Sequence, residues 1–208
     1  MEYFVIPARK GTKGFPNKNN LLFDSTFNKI PKKFHKNVII TSDDELILEK
    51  VQDLNIKLIK RNAKLSGDKV SLKPVLIDVI EKCNLKDEDD IILLYLTYPK
   101  RSFEIIEKAY SFYKKHNAKS LLCAREIKIH PYLCFYRLEN YKGKSIVDHD
   151  LYRRQDYPEC FALSHFVCII KVGSIGRLNK NLYSEDTIFY DISPVIDVDT
   201  LEDYKEFL

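Results

Sequence analysis

The sequence contains no tryptophan, one methionine and six glycines among its 208 residues. No apolar run approaches the roughly 20 residues that a membrane-spanning helix needs, so we expect no membrane association. The first residues belong to a strand-like segment and do not form a basic region followed by an apolar one, which argues against a signal peptide. The five cysteines are odd in number and form no C-x-x-C pair. These absences argue against a disulfide framework or a zinc knuckle and lead us to expect a cytoplasmic protein.

The net charge of +4 is small, and basic and acidic residues are interspersed in most of the chain, so we expect no nucleic acid partner. The two ends differ from the rest. Residues 9–36 carry eight basic side chains and one acidic one, whereas residues 185–208 carry eight acidic side chains and one basic one. A site that holds a polyphosphate beside a divalent cation would use both kinds of segment. Two unrelated solvated surfaces would give the same counts.

Segments of strand length alternate with segments of helical periodicity along the first part of the chain. The predicted strands are 3–8, 38–41, 56–59, 91–96 and 120–124. The predicted helices are 43–54 and two that begin at Ser71 and Ser102, each with apolar residues three and four positions apart. This alternation predicts a three-layer α/β fold, in which a mostly parallel sheet carries helices on both faces.

From Pro131 onward the chain contains segments that are rich in aromatic residues and in which apolar and polar residues alternate. The segments that predict antiparallel strands or an arm added to the sheet are 132–138, 145–147 and 166–172. We therefore treat residues 1–208 as a single domain and residues 131–157 as its small antiparallel arm. Thr200 and Asp203 have the spacing of an N-terminal capping box, which predicts a short last helix.

A glycine- and lysine-rich loop, Arg9 to Asn19, follows the first predicted strand. It therefore lies at the carboxyl end of a strand, where open α/β sheets bind their ligands. Gly11 and Gly14 allow a sharp turn whose N–H groups can hold an anion. The charged side chains that could hold a polyphosphate are Arg9, Lys13 and Lys18. The loop matches neither GxxxxGK[ST] nor GxGxxG, and an ordinary basic loop stays open as the alternative.

Two aspartates, Asp197 and Asp199, follow the apolar segment 194–196 near the end of the chain. On an extended segment, residues two positions apart project to the same face, so both carboxylates can reach one cation. Mg²⁺ prefers one or two carboxylates together with phosphate oxygens and water. The pattern therefore predicts a magnesium site. The alternative is that Asp197 is a surface strand residue and that Asp199 is only a helix N-cap.

Taken in order, these segments resemble the motifs of the acylneuraminate cytidylyltransferase family, the bacterial CMP-sialic acid synthetases and their relatives. IPARKGTKGFPNKN (6–19) is similar to the N-terminal signature of that family, and IDVDTLEDY (196–204) is similar to its C-terminal Asp-x-Asp-Thr motif. Weaker matches are VIITSDDELI (38–47), KRNAKLSGD (60–68) and RRQDYP (153–158). The resemblance covers nearly the whole chain and implies a nucleotidyltransferase with a Rossmann-like sheet.

The resemblance implies that a hydroxyl of an acidic, nonulosonate-like sugar attacks the α-phosphate of CTP. The products are pyrophosphate and a CMP-sugar, as used in surface polysaccharide biosynthesis. By match to the motifs, Arg9, Lys13 and Lys18 hold the triphosphate as catalytic residues, and Asp197 and Asp199 hold Mg²⁺. The matched nucleotide-binding residues are Ala8, Gly11, Thr12, Gly14, Asn19, Arg61 and Asp68. The resemblance also implies a homodimer in which the arm crosses to the partner.

The sequence departs from the family mainly on the acceptor side. Tyr95 stands where the family has a glutamine, and Ser164-His165 stands where it has Asn-Gly. The segment between Asn19 and Val38 is shorter and is expected to lack a full helix. Because a phenol cannot pair as an amide does, we expect an acceptor other than ordinary sialic acid. The candidate acceptor contacts are Tyr95, Tyr98, Arg101, Arg154 and His165, with packing of Tyr95 in the core as the alternative.

Three functions stay open from the sequence. The first is a cytidylyltransferase that acts on an acidic sugar. The second keeps CTP but uses a phosphorylated small molecule, whose phosphate attacks the nucleotide. The third is a degenerate relative that binds nucleotide or a partner without turnover, and the presence of both Asp197 and Asp199 counts against it.

Overall fold

The computed structural model describes residues 1–11 and 14–208. Its strands are β1 (Glu2–Ala8), β2 (Val38–Ser42), β3 (Lys57–Lys60), β4 (Asp90–Leu93), β5 (Ser120–Glu126), β6 (Phe135–Arg137), β7 (Gly143–Ser145), β8 (Phe161–Lys171) and β9 (Thr187–Asp191). Its α-helices are α1 (Lys18–Phe27), α2 (Glu45–Val51), α3 (Leu72–Cys83), α4 (Phe103–Lys115) and α5 (Leu201–Phe207).

Seven of the strands form one sheet in the order β3-β2-β1-β4-β8-β5-β9. Within the group β1 to β4, all paired strands are parallel, and β5 is parallel to β9. By contrast, β8 is antiparallel to both β4 and β5 and lies between them. The prediction of a mostly parallel sheet is therefore confirmed. Because β8 is reversed, its first residues pair with the carboxyl end of β5 and extend past the carboxyl end of β4, where Leu93 pairs with Cys168.

The sheet is covered on both faces, as the sequence predicted. In β1, Phe4 and Ile6 face one layer and Val5 faces the other, because successive side chains of a strand alternate. Helices α1, α2 and α4 pack on the first face. Helix α3 packs on the second face, together with the connection between β8 and β9. The central strand β4 is buried along its whole length, as expected of a strand with helices on both sides.

Two elements differ from the sequence-based expectation. Although no full helix was expected between Asn19 and Val38, α1 forms there, and that expectation is wrong. The helix is stabilised because Leu22, Phe23 and Phe27 fall on one face and are buried in the core. Strand β9 was not predicted, since its short run of β-branched and aromatic residues lies within an acidic stretch.

The predicted arm contains a separate two-stranded antiparallel sheet, formed by β6 and β7. Several of its large side chains are exposed, among them Tyr136 at 59% and Tyr141 at 94%. An isolated two-stranded sheet has little stability of its own, so this exposed surface is expected to be covered by another element or chain.

The end of the chain forms the short helix that the sequence predicted. The Thr200 side chain accepts a hydrogen bond from the Asp203 N–H, and the Asp203 carboxylate accepts one from the Thr200 N–H. This capping box fixes the point at which the extended segment turns into α5. Among the described residues, no helix combines the length and apolar character needed to cross a membrane.

Candidate functional site

The candidate site lies at the carboxyl edge of the sheet, where β1 and β2 end side by side. The Ser42 hydroxyl donates a hydrogen bond to the Ala8 carbonyl, and the Asp43 carboxylate accepts one from the Lys10 N–H at 2.8 Å. These bonds fix the start of the loop that follows β1. Gly11 has φ 72°, a left-handed conformation that glycine adopts without strain.

The structure brings the end of the basic loop to Asp199. Lys18, in the first turn of α1, is only 7% exposed, and its Nζ lies 2.8 Å from Asp199 Oδ1. A side chain at Gly14 would place its Cβ 3.5 Å from the Asp199 carbonyl oxygen. Asn19 Nδ2 donates to the Arg9 carbonyl at 2.8 Å and so ties the loop to the helix. Thr12 and Lys13, also predicted to bind nucleotide and triphosphate, lie outside the described residues.

A cavity of about 220 Å³ opens beside this contact. Its polar walls come from Arg9, Lys18, Asn19, Arg61 and Thr97, and its aromatic wall comes from Tyr95. Apolar side chains from α3 and the preceding turn close it, namely Leu65, Val70, Leu72 and Val75. Cationic groups on one side and apolar groups on the other suit a ligand with a charged end and a flat or apolar end.

Arg61 is a buried cation in the cavity wall, at 5% exposure. Its Nη2 donates to the Thr41 carbonyl at 2.8 Å and its Nε donates to Thr41 Oγ1 at 3.3 Å. Burial lowers the pKa of Arg61, and Asp43 acts in the opposite direction. Within the described residues, no further hydrogen bond of the Arg61 guanidinium is seen, so its remaining N–H groups could pair with an electron-rich ligand in the cavity. Arg9 forms an ion pair with Asp68 across the mouth of the cavity.

The two aspartates lie in a segment that belongs to no strand. The Val198 N–H donates to the Thr97 carbonyl at 2.8 Å, and the Val198 side chain is fully buried. Asp197, which is half-buried, and Asp199, which is exposed, flank Val198, and alternation along an extended segment would turn both carboxylates away from the core. Asp197 Oδ1 is buried and has no hydrogen-bond partner within the described part of the chain. Burial raises the pKa of the neighbouring Tyr98, and Asp197 adds to that rise.

These two carboxylates are the residues that could hold a metal ion. Within residues 1–11 and 14–208, no three His, Cys, Asp or Glu side chains gather into a metal-binding cluster. That part of the chain therefore contains no cluster of side chains that would surround a metal ion with protein ligands alone. Mg²⁺ needs only one or two carboxylates when phosphate oxygens and water complete its coordination. The unpartnered Asp197 Oδ1 fits such an ion, because a buried oxygen without a partner is stabilised by a cation.

Two of the five acceptor candidates meet beside the cavity. The rings of Tyr95 and His165 lie 5.1 Å apart at 44°. Tyr98 is nearby but buried, and its hydroxyl lies 3.4 Å from Ser164 Oγ. A direct contact of Tyr98 with a ligand is therefore restricted to the side that faces Asp197.

The structure does not place the other two candidates at this cavity. Arg101 is 3% exposed, and its guanidinium donates to the carbonyls of Phe166 and Tyr95. It therefore lies behind the site and positions the segment that carries Tyr95, which corrects its predicted contact with the acceptor. Arg154 instead lines a second cavity of about 340 Å³ at the base of the arm, beside His130.

Sequence reasoning missed the residues that support the site from behind. Thr41 holds Arg61, Asp43 holds the start of the loop, and Thr97 holds the segment of the two aspartates. Thr41 and Asp43 flank the end of a predicted strand next to β1, which is a usable signal. No comparable signal marks Thr97, because its role depends on a backbone carbonyl.

No protein-family model matches the chain. Among curated proteins, it is 27% identical over 217 residues to the N-acylneuraminate cytidylyltransferase of Streptococcus agalactiae serotype V, covering 96% of this chain and 51% of that protein. It is 28% identical over 220 residues to the pseudaminic acid cytidylyltransferase of Campylobacter jejuni serotype O:2, covering 97% and 92%. The chain thus spans about half the length of the Streptococcus relatives. The resemblance seen in the motifs is confirmed.

The fold has close counterparts among solved structures. A CMP:2-keto-3-deoxy-manno-octonic acid synthetase complexed with CTP aligns with a TM-score of 0.68 at 14% identity, over 99% of this chain and 96% of that one. The 2-C-methyl-D-erythritol 4-phosphate cytidylyltransferase of Francisella tularensis aligns with a TM-score of 0.63 at 13% identity, over 99% and 97%. At these identities the likeness concerns the fold, and it confirms the expected Rossmann-like α/β architecture with a mostly parallel sheet.

Proposed function

We propose that this chain is a cytidylyltransferase, a nucleotidyltransferase that transfers CMP from CTP to an acidic, nonulosonate-like sugar and releases pyrophosphate. The observation that carries the proposal is the contact between Lys18 and Asp199. It joins a basic loop and an acidic segment from opposite ends of the chain at one cavity. The relatives named above act on such sugars, and this chain aligns with them over nearly its whole length.

The chain supplies the positive charge that phosphoryl transfer requires. Arg9 and Lys18 line the cavity, and Lys13 belongs to the same loop. In the reaction, an acceptor oxygen forms a bond to the α-phosphorus, and the bridging bond to the β-phosphate breaks with its electron pair on pyrophosphate. Positive groups held in place stabilise the charge that develops on the phosphate oxygens. The buried Arg61 would face the nucleoside end of CTP.

Asp197 and Asp199 would hold Mg²⁺ in this proposal. Bound there, the ion would neutralise charge on the triphosphate. The protein's own part is to present the two carboxylates on one side of the extended segment, with Lys18 beside Asp199. Isothermal titration of MgCl₂ in the presence of CTP, compared between the wild type and the Asp197→Asn variant, measures this role without turnover.

The proposal includes a cytoplasmic homodimer. The cysteines of the chain are free, as in a reducing compartment, and the exposed arm offers an apolar surface for a second copy. Tyr136→Glu, in the arm, should shift sedimentation velocity from dimer to monomer. Leu46→Glu, at an exposed position of α2, is the matched control and should leave the dimer intact. A wild-type monomer at micromolar concentration would contradict this part.

Pyrophosphate release is the decisive measurement. The wild type would be incubated with each of four nucleoside triphosphates and MgCl₂, with acidic nine-carbon sugars or with phosphorylated metabolites as acceptors. We expect release with CTP and an acidic sugar. Release with phosphorylated metabolites alone would favour the second function that the sequence left open. No release with any acceptor, despite CTP binding, would favour a non-catalytic relative and overturn the proposal.

A further inference from the structure

His165 contacts Tyr95, a residue of the cavity wall, and has no role in the reaction described above. It lies on β8, and its ring contacts the Tyr95 ring at 5.1 Å. Tyr95 lines the cavity, and within the described residues its hydroxyl has no hydrogen-bond partner. An aromatic wall with an unpaired hydroxyl beside a histidine suits a hydroxylated ligand.

The hydrogen bond of His165 defines its protonation pattern. Nε2 lies 3.0 Å from the Asn181 carbonyl oxygen. A carbonyl only accepts hydrogen bonds, so Nε2 carries the proton, and in the neutral ring Nδ1 has the free lone pair. No described residue forms a hydrogen bond with Nδ1. This atom is also not one of the buried atoms that lack a partner, so it is accessible to solvent. His165 therefore presents a free proton acceptor to solvent.

The Asn181 carbonyl belongs to a compact tip in the connection between β8 and β9. Asn179 Oδ1 accepts hydrogen bonds from the Asn181 N–H at 2.8 Å and from the Tyr183 N–H at 3.3 Å. Leu182 follows with φ 64° and is 1% exposed in the core cluster beneath α3. A leucine in this left-handed conformation is held there only by its surroundings. The hydrogen bonds of Asn179 and the buried Leu182 thus hold the Asn181 carbonyl in place, and this carbonyl orients His165.

We propose that His165 is the general base of the reaction and that Asn179 is a positioning residue, an inference that rests on the proposed function. Nδ1 takes the proton of the acceptor hydroxyl as that oxygen bonds to the α-phosphorus. The bond to the leaving pyrophosphate breaks with its electron pair on pyrophosphate. The resulting imidazolium keeps its Nε2–H bond to Asn181. The two described contacts of the ring, Tyr95 and Asn181, are uncharged, and Lys180 is the charged residue next to Asn181 in the tip.

This role specifies the class of acceptor. A hydroxyl must lose a proton when it attacks, whereas a phosphate attacks through an oxygen that is already ionised near neutral pH. A base beside Tyr95 therefore serves a hydroxyl acceptor and has no task with a phosphorylated one. The position matches the departure from the family motif, since Ser164-His165 stands where the family has Asn-Gly.

The first test compares His165→Gln with the wild type. His116→Gln is the matched control, because His116 also bonds one backbone carbonyl but lies exposed at the end of α4. With CTP and an accepted sugar, His165→Gln should lower kcat by about 100-fold or more, whereas His116→Gln should leave kcat unchanged. The affinity for CTP, measured by titration calorimetry, should stay unchanged. A wild-type kcat in His165→Gln would overturn the role of His165 alone.

The second test does not depend on turnover. ¹⁵N NMR of imidazole-labelled protein should show His165 as the neutral ring protonated on Nε2, and Asn179→Ala should mix the two tautomers. A ring protonated on Nδ1 would overturn the assignment even in an active enzyme. If the wild type turns over no acceptor at all, the proposed function fails and the catalytic role of His165 fails with it. By contrast, an active wild type with an equally active His165→Gln variant would contradict only the role of His165, so the two failures are distinguishable.

Discussion

Lys18 Nζ and Asp199 Oδ1 lie 2.8 Å apart although 181 positions separate them in the sequence. The lysine is 9% exposed at its side chain, whereas the aspartate is 69% exposed. The contact therefore lets a solvent-accessible carboxylate compensate a nearly buried cation. A ligand that carries phosphate and a divalent cation could satisfy both groups at once, because the phosphate pairs with the lysine and the cation pairs with the aspartate.

Replacement of Asp199 tests the acidic half of this relationship. Asp199→Ala should abolish pyrophosphate release because one of the two candidate magnesium ligands is lost. The fold should persist because the side chain is mostly exposed, and circular dichroism melting checks this. Asp191→Ala, at an exposed position on the edge strand, is the matched control and should retain activity. Full activity of Asp199→Ala would remove the metal role.

Replacement of Lys18 tests the basic half. Lys18→Gln should lower kcat/KM because about 2–4 kcal/mol of transition-state stabilisation is lost. This is the usual effect of removing one aligned electrostatic contact. Lys10→Gln removes the same charge from an exposed position in the same loop and should change kcat/KM far less. Equal losses in the two variants would mean that general positive charge, rather than the placed Nζ, governs the rate.

Arg101 is expected to matter for stability first. Arg101→Met leaves the carbonyls of Phe166 and Tyr95 without their donor in the interior. The free energy of unfolding in urea should fall by about 3 kcal/mol, since each buried unpaired acceptor costs about 1–3 kcal/mol. Arg177→Met, at an exposed position, should change it by less than about 0.5 kcal/mol. A small effect of Arg101→Met would contradict the structural role.

Asp90 should make the fold sensitive to acid. Burial alone would raise the pKa of Asp90, but hydrogen bonds from Tyr113, Tyr110 and Lys114 outweigh it and hold that pKa below its ordinary value. A lowered pKa means that the stabilisation is present above the unfolded value of about 4 and is lost as pH falls through the folded one. Asp90→Asn should therefore destabilise the protein by about 2 kcal/mol at pH 7.

Denaturant unfolding of the wild type and Asp90→Asn between pH 7 and pH 3 measures this prediction. The difference in free energy of unfolding should shrink as the wild-type carboxylate becomes protonated. Asp78→Asn is the matched control, because its ion pair with Lys82 lies on the surface of α3 and contributes less than about 1 kcal/mol. A constant difference across this range would show that the charge of Asp90 is not what stabilises the fold.

Local patterns predicted much of the site. Strand–loop alternation placed the basic loop at the carboxyl end of β1, and the spacing of Thr200 and Asp203 placed the start of α5. These features depend on a few neighbouring residues, so the sequence alone contains them. Residue spacing also predicted that Asp197 and Asp199 project to one face, and this stays a prediction.

The sequence by itself determined the α/β class, the basic loop and the paired aspartates, because periodicity and residue type act over short distances. Only the tertiary structure decided that β8 enters between β4 and β5 and brings His165 to Tyr95. It also decided that Arg101 is buried behind the site. Sheet order depends on contacts between distant segments, which local propensity does not encode. The loop and the two aspartates thus became one site only when the sheet was assembled.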